Sequence, residues 1–393
     1  MKSVLFSVPL LAIAVSSASA MAATASDDLV NISLGSGGLK VTKGDSKFQM
    51  GGRIHMDFAQ VNEEKHQDNY DTGTGVRRAR LYAKGNVGAD WRYKFQYDYA
   101  DQVMKDMYIQ YNGLAAGNIL VGQFAPPMFM DSYTSSNWTT FVERAVVNNF
   151  ALDRELGVGF NSAGSHHSIY TGITGDNMAA DEEGDDTVSY TTRMTLAPIN
   201  GNGSVLHLGV TGSYEDLDGR TFYVGQRPAT KSVSSTKILS VAKQGESRRT
   251  VGGELAFAVG SFSAQAEHMT VEVEGFDGSD DETYTAAYGQ ASYFLTGESR
   301  SYYVDGGVFD APSAMKNSWE VAVRYEEMDV SDAEASVVDG YTPGKLTVMT
   351  YGVNFYPNKN IRFIFNYMKN EVEYLDKTKE NVDVIQLRSQ LVF

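Results

Sequence analysis

The densest chemistry in this chain is positive charge. Arg220, Arg227, Lys231, Lys237, Lys243, Arg248 and Arg249 crowd one stretch against a lone Glu246. The protein around them is acidic, with 33 Lys and Arg, 49 Asp and Glu, and a formal charge of −16. A cationic wall in a low-dielectric frame focuses its field and gathers anions, so this stretch is expected to form an electropositive funnel. The competing use is anchorage to lipopolysaccharide phosphates. Overall acidity argues against nucleic-acid binding, which needs a basic face. Other chemistries find little to work with. No cysteine is present, which removes thiolate metal sites and Cys nucleophiles. The six histidines sit in no nucleophile motif, and G-x-S-x-G is absent. No catalytic residue, metal site or cofactor is therefore expected. The acidic runs, among them Asp181-Glu182-Glu183 and Asp280-Asp281-Glu282, lack calcium-loop spacing. They read as a solvated rim, bridged to lipopolysaccharide by divalent cations.

The elements that must position these charges have a period of two. Trp91-Arg92-Tyr93-Lys94-Phe95-Gln96-Tyr97-Asp98-Tyr99 puts aromatics on one face and polar groups on the other. The pattern recurs in segments starting near residues 48, 76, 91, 104, 118, 156, 167, 187, 204, 249, 262, 283, 318, 346, 361 and 381. The one near 262 needs a bulge to keep its phase. The faces assigned to the interior carry Arg53, Arg78, Arg80, Lys84, Arg92, Lys94, Arg193, Arg324, Arg362 and Arg388, against Asp57, Asp98, Asp106, Glu254, Glu320 and Glu326. By the same parity Arg77 points at lipid, at the outer end of its strand.

The chain ends fix the compartment. Residues 1–20 have a Lys2 n-region, an apolar run and Ala18-Ser19-Ala20, the pattern of a signal peptide. Residues 21–47 are polar and Gly-rich and are expected to be a mobile periplasmic lead. From 48 to 393 the connections alternate short and long, as periplasmic turns and extracellular loops do in outer-membrane barrels. Thr296–Asn317 breaks the rule, being long on the turn side, and is expected to fold back into the periplasmic mouth. The last strand ends on Phe393, as bacterial outer-membrane barrels do. The expected fold is all-β: an antiparallel transmembrane barrel of about sixteen strands, wide enough for an aqueous channel.

Five segments, in order, carry a family resemblance. They are the RRAR core of Gly75–Leu81, Asp90–Asp98, Val121–Pro126, Thr134–Trp138 with Phe141–Arg144, and Ser292–Glu298 with Arg300 and Tyr302. Together they resemble the phosphate-selective porin O and P family. That resemblance implies a homotrimer of barrels in the bacterial outer membrane, in contact with its lipid and lipopolysaccharide. It implies a loop at about 125–155 folded inward as the constriction. It implies a binding site for inorganic phosphate or another small anion made by Arg77, Arg78 and Arg80 with Ser135 and Ser136. Arginine suits the task because its fork of donors matches phosphate oxygens and stays charged. Arg220, Arg227, Arg248 and Arg249 are partial candidates for the family's anion-guiding arginines. One departure bears on selectivity: Ser132, beside Asp131, stands where the family places a lysine. A general or organic-anion porin of the same fold is the alternative reading, and an outer-membrane barrel enzyme a remote one.

Overall fold

A sheet in lipid must satisfy all its backbone donors and acceptors within itself, so it closes. The computed structural model describes residues 30–35, 37–63, 72–178, 187–201, 203–233, 235–333 and 342–393. The signal segment, the start of the lead and the acidic run 181–186 lie outside them. A hairpin of β1 (Asn31–Gly35) and β2 (Gly38–Lys43) comes first. The wall begins with β3 (Ser46–Glu63), β4 (Gly73–Val87), β5 (Trp91–Asp98), β6 (Val103–Leu114), β7 (Gly117–Phe124) and β8 (Glu155–Ala163). It continues through β9 (His167–Gly175), β10 (Val188–Gly201) and β11 (Ser204–Asp216). A short β12 (Thr221–Gln226) precedes β13 (Leu239–Val259), β14 (Phe262–Gly275) and β15 (Glu282–Phe294). A hairpin of β16 (Arg300–Tyr303) and β17 (Val308–Pro312) separates these from β18 (Lys316–Asp329), β19 (Gly344–Asn358), β20 (Ile361–Tyr374) and β21 (Lys379–Val392). Without β1, β2, β12, β16 and β17, the remaining 16 strands form a closed antiparallel barrel. The seam is β21 on β3, finished by the Phe393 N–H donating to the Gly52 carbonyl at 3.0 Å and the Gly52 N–H to Phe393 at 2.6 Å.

The outer face is apolar, and aromatic pairs stand at both rims. Trp91–Tyr111 and Trp319–Phe355 lie at one rim, with Tyr97–Tyr99 and Tyr190–Tyr214 at the other. These are the girdles expected where rings meet headgroups.

Three expectations are corrected. The lead is not free chain over residues 31–43, because the seam leaves an open edge. Residues 53–63 of β3 pair with β21, while its lower end, 46–50, extends past β21 and takes β2 as its partner. The strand expected near 249 begins at Leu239, its first turns paired with β12 rather than with β11. No bulge interrupts β14, whose pairing with β15 is continuous.

The polarity of the inward face of β14 changes for another reason, with no change of phase. Ser263 and Glu267 face inward, as polar residues should, and so do Met269, Val271 and Val273 higher up. The interior at that level is dry. Phe129, Val147 and Phe150, from the long connection between β7 and β8, pack there with Phe222, Ile238 and Leu239 from around β12. The wall meets them with Tyr284, Val348, Val372 and Val384. The apolar filling occupies the β14–β21 side and pushes the open bore against the opposite wall.

Truncating Phe150, which is fully buried, to Ala should cost the loop packing about 3–5 kcal/mol. The barrel of Phe150→Ala should keep its heat-modifiable electrophoretic mobility, while protease should nick residues 125–154 faster than in wild type. Equal nicking rates would show that this core does not hold the loop.

Candidate functional site

The bore that remains is a cavity of about 1030 Å³ along β3–β10, lined by Arg53, Arg77, Arg78, Arg80, Ser135 and Ser136 among others. Its floor plan begins with two irregularities in the wall. In the β3–β4 ladder His55 faces Arg78 and Met56 faces Val76, so Arg77 is an extra residue. This β-bulge re-aims a side chain that parity would send into lipid. Arg77 turns inward, its Nε 3.0 Å from Glu143 Oε1. The lipid-side expectation for Arg77 is thereby corrected. Between β5 and β6 the ladder slips in the same way, with Gln96 facing Asp106 and Tyr97 facing Met104. Lys105 is the extra residue, and it lines the bore beside Asp106. The sequence did carry a signal here: a Lys-Asp pair between Met104 and Met107 violates strict alternation.

The loop between β7 and β8 supplies the other wall. It contains a single helical turn, α1 (Met130–Tyr133), and a 3₁₀ turn at Val146–Phe150. A buried loop brings unpaired backbone groups with it, and these must be satisfied. Far-wall side chains do this. Arg362 donates to the carbonyls of Thr139 and Thr140 at 2.8 and 3.0 Å. Arg388 donates to Val142, and Arg300, from the β16–β17 hairpin rather than the wall, donates to Trp138 at 3.1 Å. Glu326 and Asn366 accept from the Val146 and Val142 N–H groups, each at 2.8 Å. Hence Arg324, Arg362 and Arg388 point inward as parity requires, but they are buried fasteners. The tally of interior charge overstates what an ion in the bore meets.

The loop's serines end up where the arginines are. Ser136 Oγ accepts from Arg53 Nη1 at 2.6 Å, and Ser135 is half-buried at the cavity wall. Ser132 also lines the bore, its hydroxyl accepting from the Phe129 N–H at 3.2 Å and so capping α1. Asp131 is turned away. It accepts from the Ala145 N–H at 3.1 Å and lies 4.0 Å from Arg144.

The arginines divide by partner. Arg80 is bound to Asp98 at 2.6 Å, and Arg77 to Glu143. Arg78 is nearly buried and has no carboxylate partner among the described residues, and its Nε is unpaired. Burial works to raise the Glu143 carboxyl, but the Arg77 guanidinium, with Arg388 and Arg78 behind it, holds it well below the usual carboxylate range. Glu143 is therefore held in its ionised form at neutral pH.

The candidate guiding arginines stand elsewhere. None of Arg220, Arg227, Arg248 and Arg249 lines this cavity. Arg220 pairs with Asp176 at 2.7 Å, and Arg248 with Glu215 at 2.8 Å while stacking on Phe222. Arg227 is half-buried. Arg249 is exposed between Glu272 and Glu274. The same loop still reaches the bore. Thr230 donates to Asp57 on β3 at 2.7 Å, and Lys231 lines the cavity 2.8 Å from Asp101. Burial, then Arg227 and Lys231, push Lys237 down to about 8, so the loop sheds a charge in mild alkali. Arg154, paired with Asp106 at 2.7 Å, is a further bore cation. It sits at the loop's end, where alternation gives no guidance.

The model of one family, phosphate-selective porin O and P, matches residues 48–393. The chain belongs to that family. Porin O of Pseudomonas aeruginosa is 28% identical over 429 aligned positions, covering 98% of this chain and 97% of that protein. Among solved structures, the outer-membrane channel DcaP of Acinetobacter baumannii aligns over 90% of this chain and 99% of its own, at a TM-score of 0.57 and 13% identity. An anion-selective porin from Comamonas acidovorans aligns over 88% and 100%, also at 0.57 and 13%. These likenesses in shape show the fold. The protein is accordingly an outer-membrane porin of the O and P family.

Two predictions follow from the fastening and pairing within this site. Glu143→Gln frees Arg77 and should tighten anion block of the pore several-fold at neutral pH. In wild type the same gain should appear only in acid, as pH falls through the depressed Glu143 value, because protonation is what releases the arginine. A wild-type pore that gained anion affinity already between pH 7 and 5 would refute the pairing. Arg362→Ala removes the donor to the Thr139 carbonyl and leaves the Thr140 carbonyl to Asn354 alone, at 3.0 Å, and an orphaned buried group costs about 1–3 kcal/mol. Single-channel records should then show flicker that wild type lacks, and steady current in the variant would count against the fastening.

Proposed function

We propose that this porin is an anion-preferring channel for phosphate or related small anions. The observation that carries the reading is the bulge at Arg77. It delivers two consecutive guanidinium groups to one level of the bore, the second without a carboxylate partner among the described residues. Arg53, which lies opposite Arg80, and the hydroxyls of Ser135 and Ser136 add donors in the same cavity. Arginine forks suit tetrahedral oxyanions, and hydroxyls add contacts without deepening the electrostatic trap. A permeation site must bind firmly enough to strip water and loosely enough to release. The description of the matched family supports the choice of phosphate.

A second reading, a general or organic-anion porin, is favoured by Ser132. The bore has a neutral hydroxyl where the family resemblance places a lysine. Phosphate affinity is therefore weak in this proposal, while anion preference persists. We further propose a homotrimer. One of the structural neighbours, OmpT of Vibrio cholerae, is described as a trimer form. The exposed acidic and basic residues at the outer ends of the strands, such as Arg249 of β13 with Glu272 and Glu274 of β14, are proposed to meet lipopolysaccharide.

Planar-bilayer recording tests the reading. The zero-current potential in a salt gradient should have the sign of anion preference, and phosphate should block chloride current weakly. Arg78→Ala loses a charge-assisted contact of about 1.5–3 kcal/mol, so phosphate block should weaken by roughly tenfold or more. Unchanged selectivity in that variant would remove Arg78 from the site.

A further inference from the structure

The periplasmic end of the bore carries a feature that a pore for bare inorganic anions does not use. The link between β15 and β18 folds into the barrel as the β16–β17 hairpin, and its tip is bolted in place. Arg193 donates to the carbonyls of Gly306 and Gly307 at 2.7 and 2.8 Å and pairs with Glu254 at 2.6 Å. His207 joins Glu254 at 3.0 Å to the Tyr302 hydroxyl at 2.6 Å. Val308 and Phe309 of the hairpin share a buried cluster with Met130 of α1. Inward loop and periplasmic hairpin are thus one packed unit.

That contact brings two tyrosines together. Tyr133 ends α1 and Tyr303 ends β16, and both line the bore. They converge on Gly306, where a Cβ would meet the Tyr303 ring at 2.8 Å and the Tyr133 ring at 3.3 Å. Although held by buried neighbours, they are 38% and 50% exposed. Two partly bare rings, rigidly held in a charged aqueous passage, leave aromatic surface unused. Arg92 lines the same cavity, is exposed, has no ion pair among the described residues, and acts electrostatically on Tyr303 and on Tyr108. Asp305, next to the rings, presents a carboxylate to the same space.

We propose that Tyr133, Tyr303 and Arg92 form a subsite for small organic phosphates that carry a flat, amino-bearing ring, of which a nucleoside monophosphate is the type. The phosphate engages Arg92, the ring lies on the tyrosines, and the ring's amino group donates to Asp305. Inorganic phosphate gains nothing from the rings and is repelled by the carboxylate. A ring with a donor gains from both. Stacking of this kind is strong and tolerant of ring identity. The inference rests on the anion-channel reading and names a substrate class within it.

The test compares adenosine monophosphate with ribose 5-phosphate, which has the phosphate and sugar but no base, as blockers of chloride current through the full-length porin in planar bilayers. Adenosine monophosphate should half-block at about a tenfold lower concentration. The ratio of the two half-blocking concentrations should fall at least threefold in Tyr303→Ala and in Tyr133→Ala, and return in Tyr303→Phe, which restores the ring. Because the ratio is taken within each variant, a general change in conductance cancels, and only inserted, folded pores are read. A wild-type ratio near one, or a ratio preserved in both alanine variants, overturns the subsite. The zero-current potential of the same membranes separates the two levels. Anion preference with a ratio near one defeats the ring subsite alone, and loss of anion preference defeats the anion-channel reading and this subsite with it.

Discussion

Everything in the bore depends on how a loop's backbone is satisfied inside a barrel. The chain between β7 and β8 cannot enter the interior unless its carbonyls and N–H groups find partners there. Side chains from the opposite wall provide most of them, Arg362 and Arg388 as donors and Glu326 and Asn366 as acceptors, and Arg300 of the β16–β17 hairpin adds a further donor. Charges that alternation places in the interior are thereby used as fasteners on one side and left to meet ions on the other. The division is spatial. The β14–β21 half is bonded and dry, and the β3–β10 half is wet and cationic.

The apolar filling is the second half of this arrangement. Phe150, Ile238 and Leu239 pack on Val271, Val348 and Val372, so the loop is held by burial as well as by hydrogen bonds. The filling leaves no need for a central pore. The open space lies on one flank, lined by Arg53, Arg77 and Arg78, which places each guanidinium beside whatever passes.

Much of the wall was legible in the sequence because lipid on one face and polar interior on the other impose a strict rule at every second residue. Trp91–Asp98 and Ile361–Tyr374 show it plainly. The rule fails where its premise fails. At Met269, Val271 and Val273 the interior is apolar, so polarity reverses while geometry does not, and a bulge was expected where there is none. Above the membrane rim, in the first turns of β13, neither face has a fixed medium, and the start of that strand was hidden. Arg77 and Lys105 defeat parity outright, because each sits at a real bulge. Arg78, Ser135 and Ser136 could be named as candidates from the family resemblance, but their company could not. Glu143, Arg154, Lys231 and Tyr133 come from loops, where side-chain direction is set by tertiary contact rather than by period.

The bulge at Arg77 makes one arginine a supernumerary in the weave of the wall. His55 and Arg78 face each other below it and Met56 and Val76 above it, each pair already in step with its neighbours. Excision of that single residue would mend the ladder without shifting any other rung. A channel of this design can therefore gain or lose a cation in its bore by the insertion or removal of one codon, while the cylinder that carries it stays as it was.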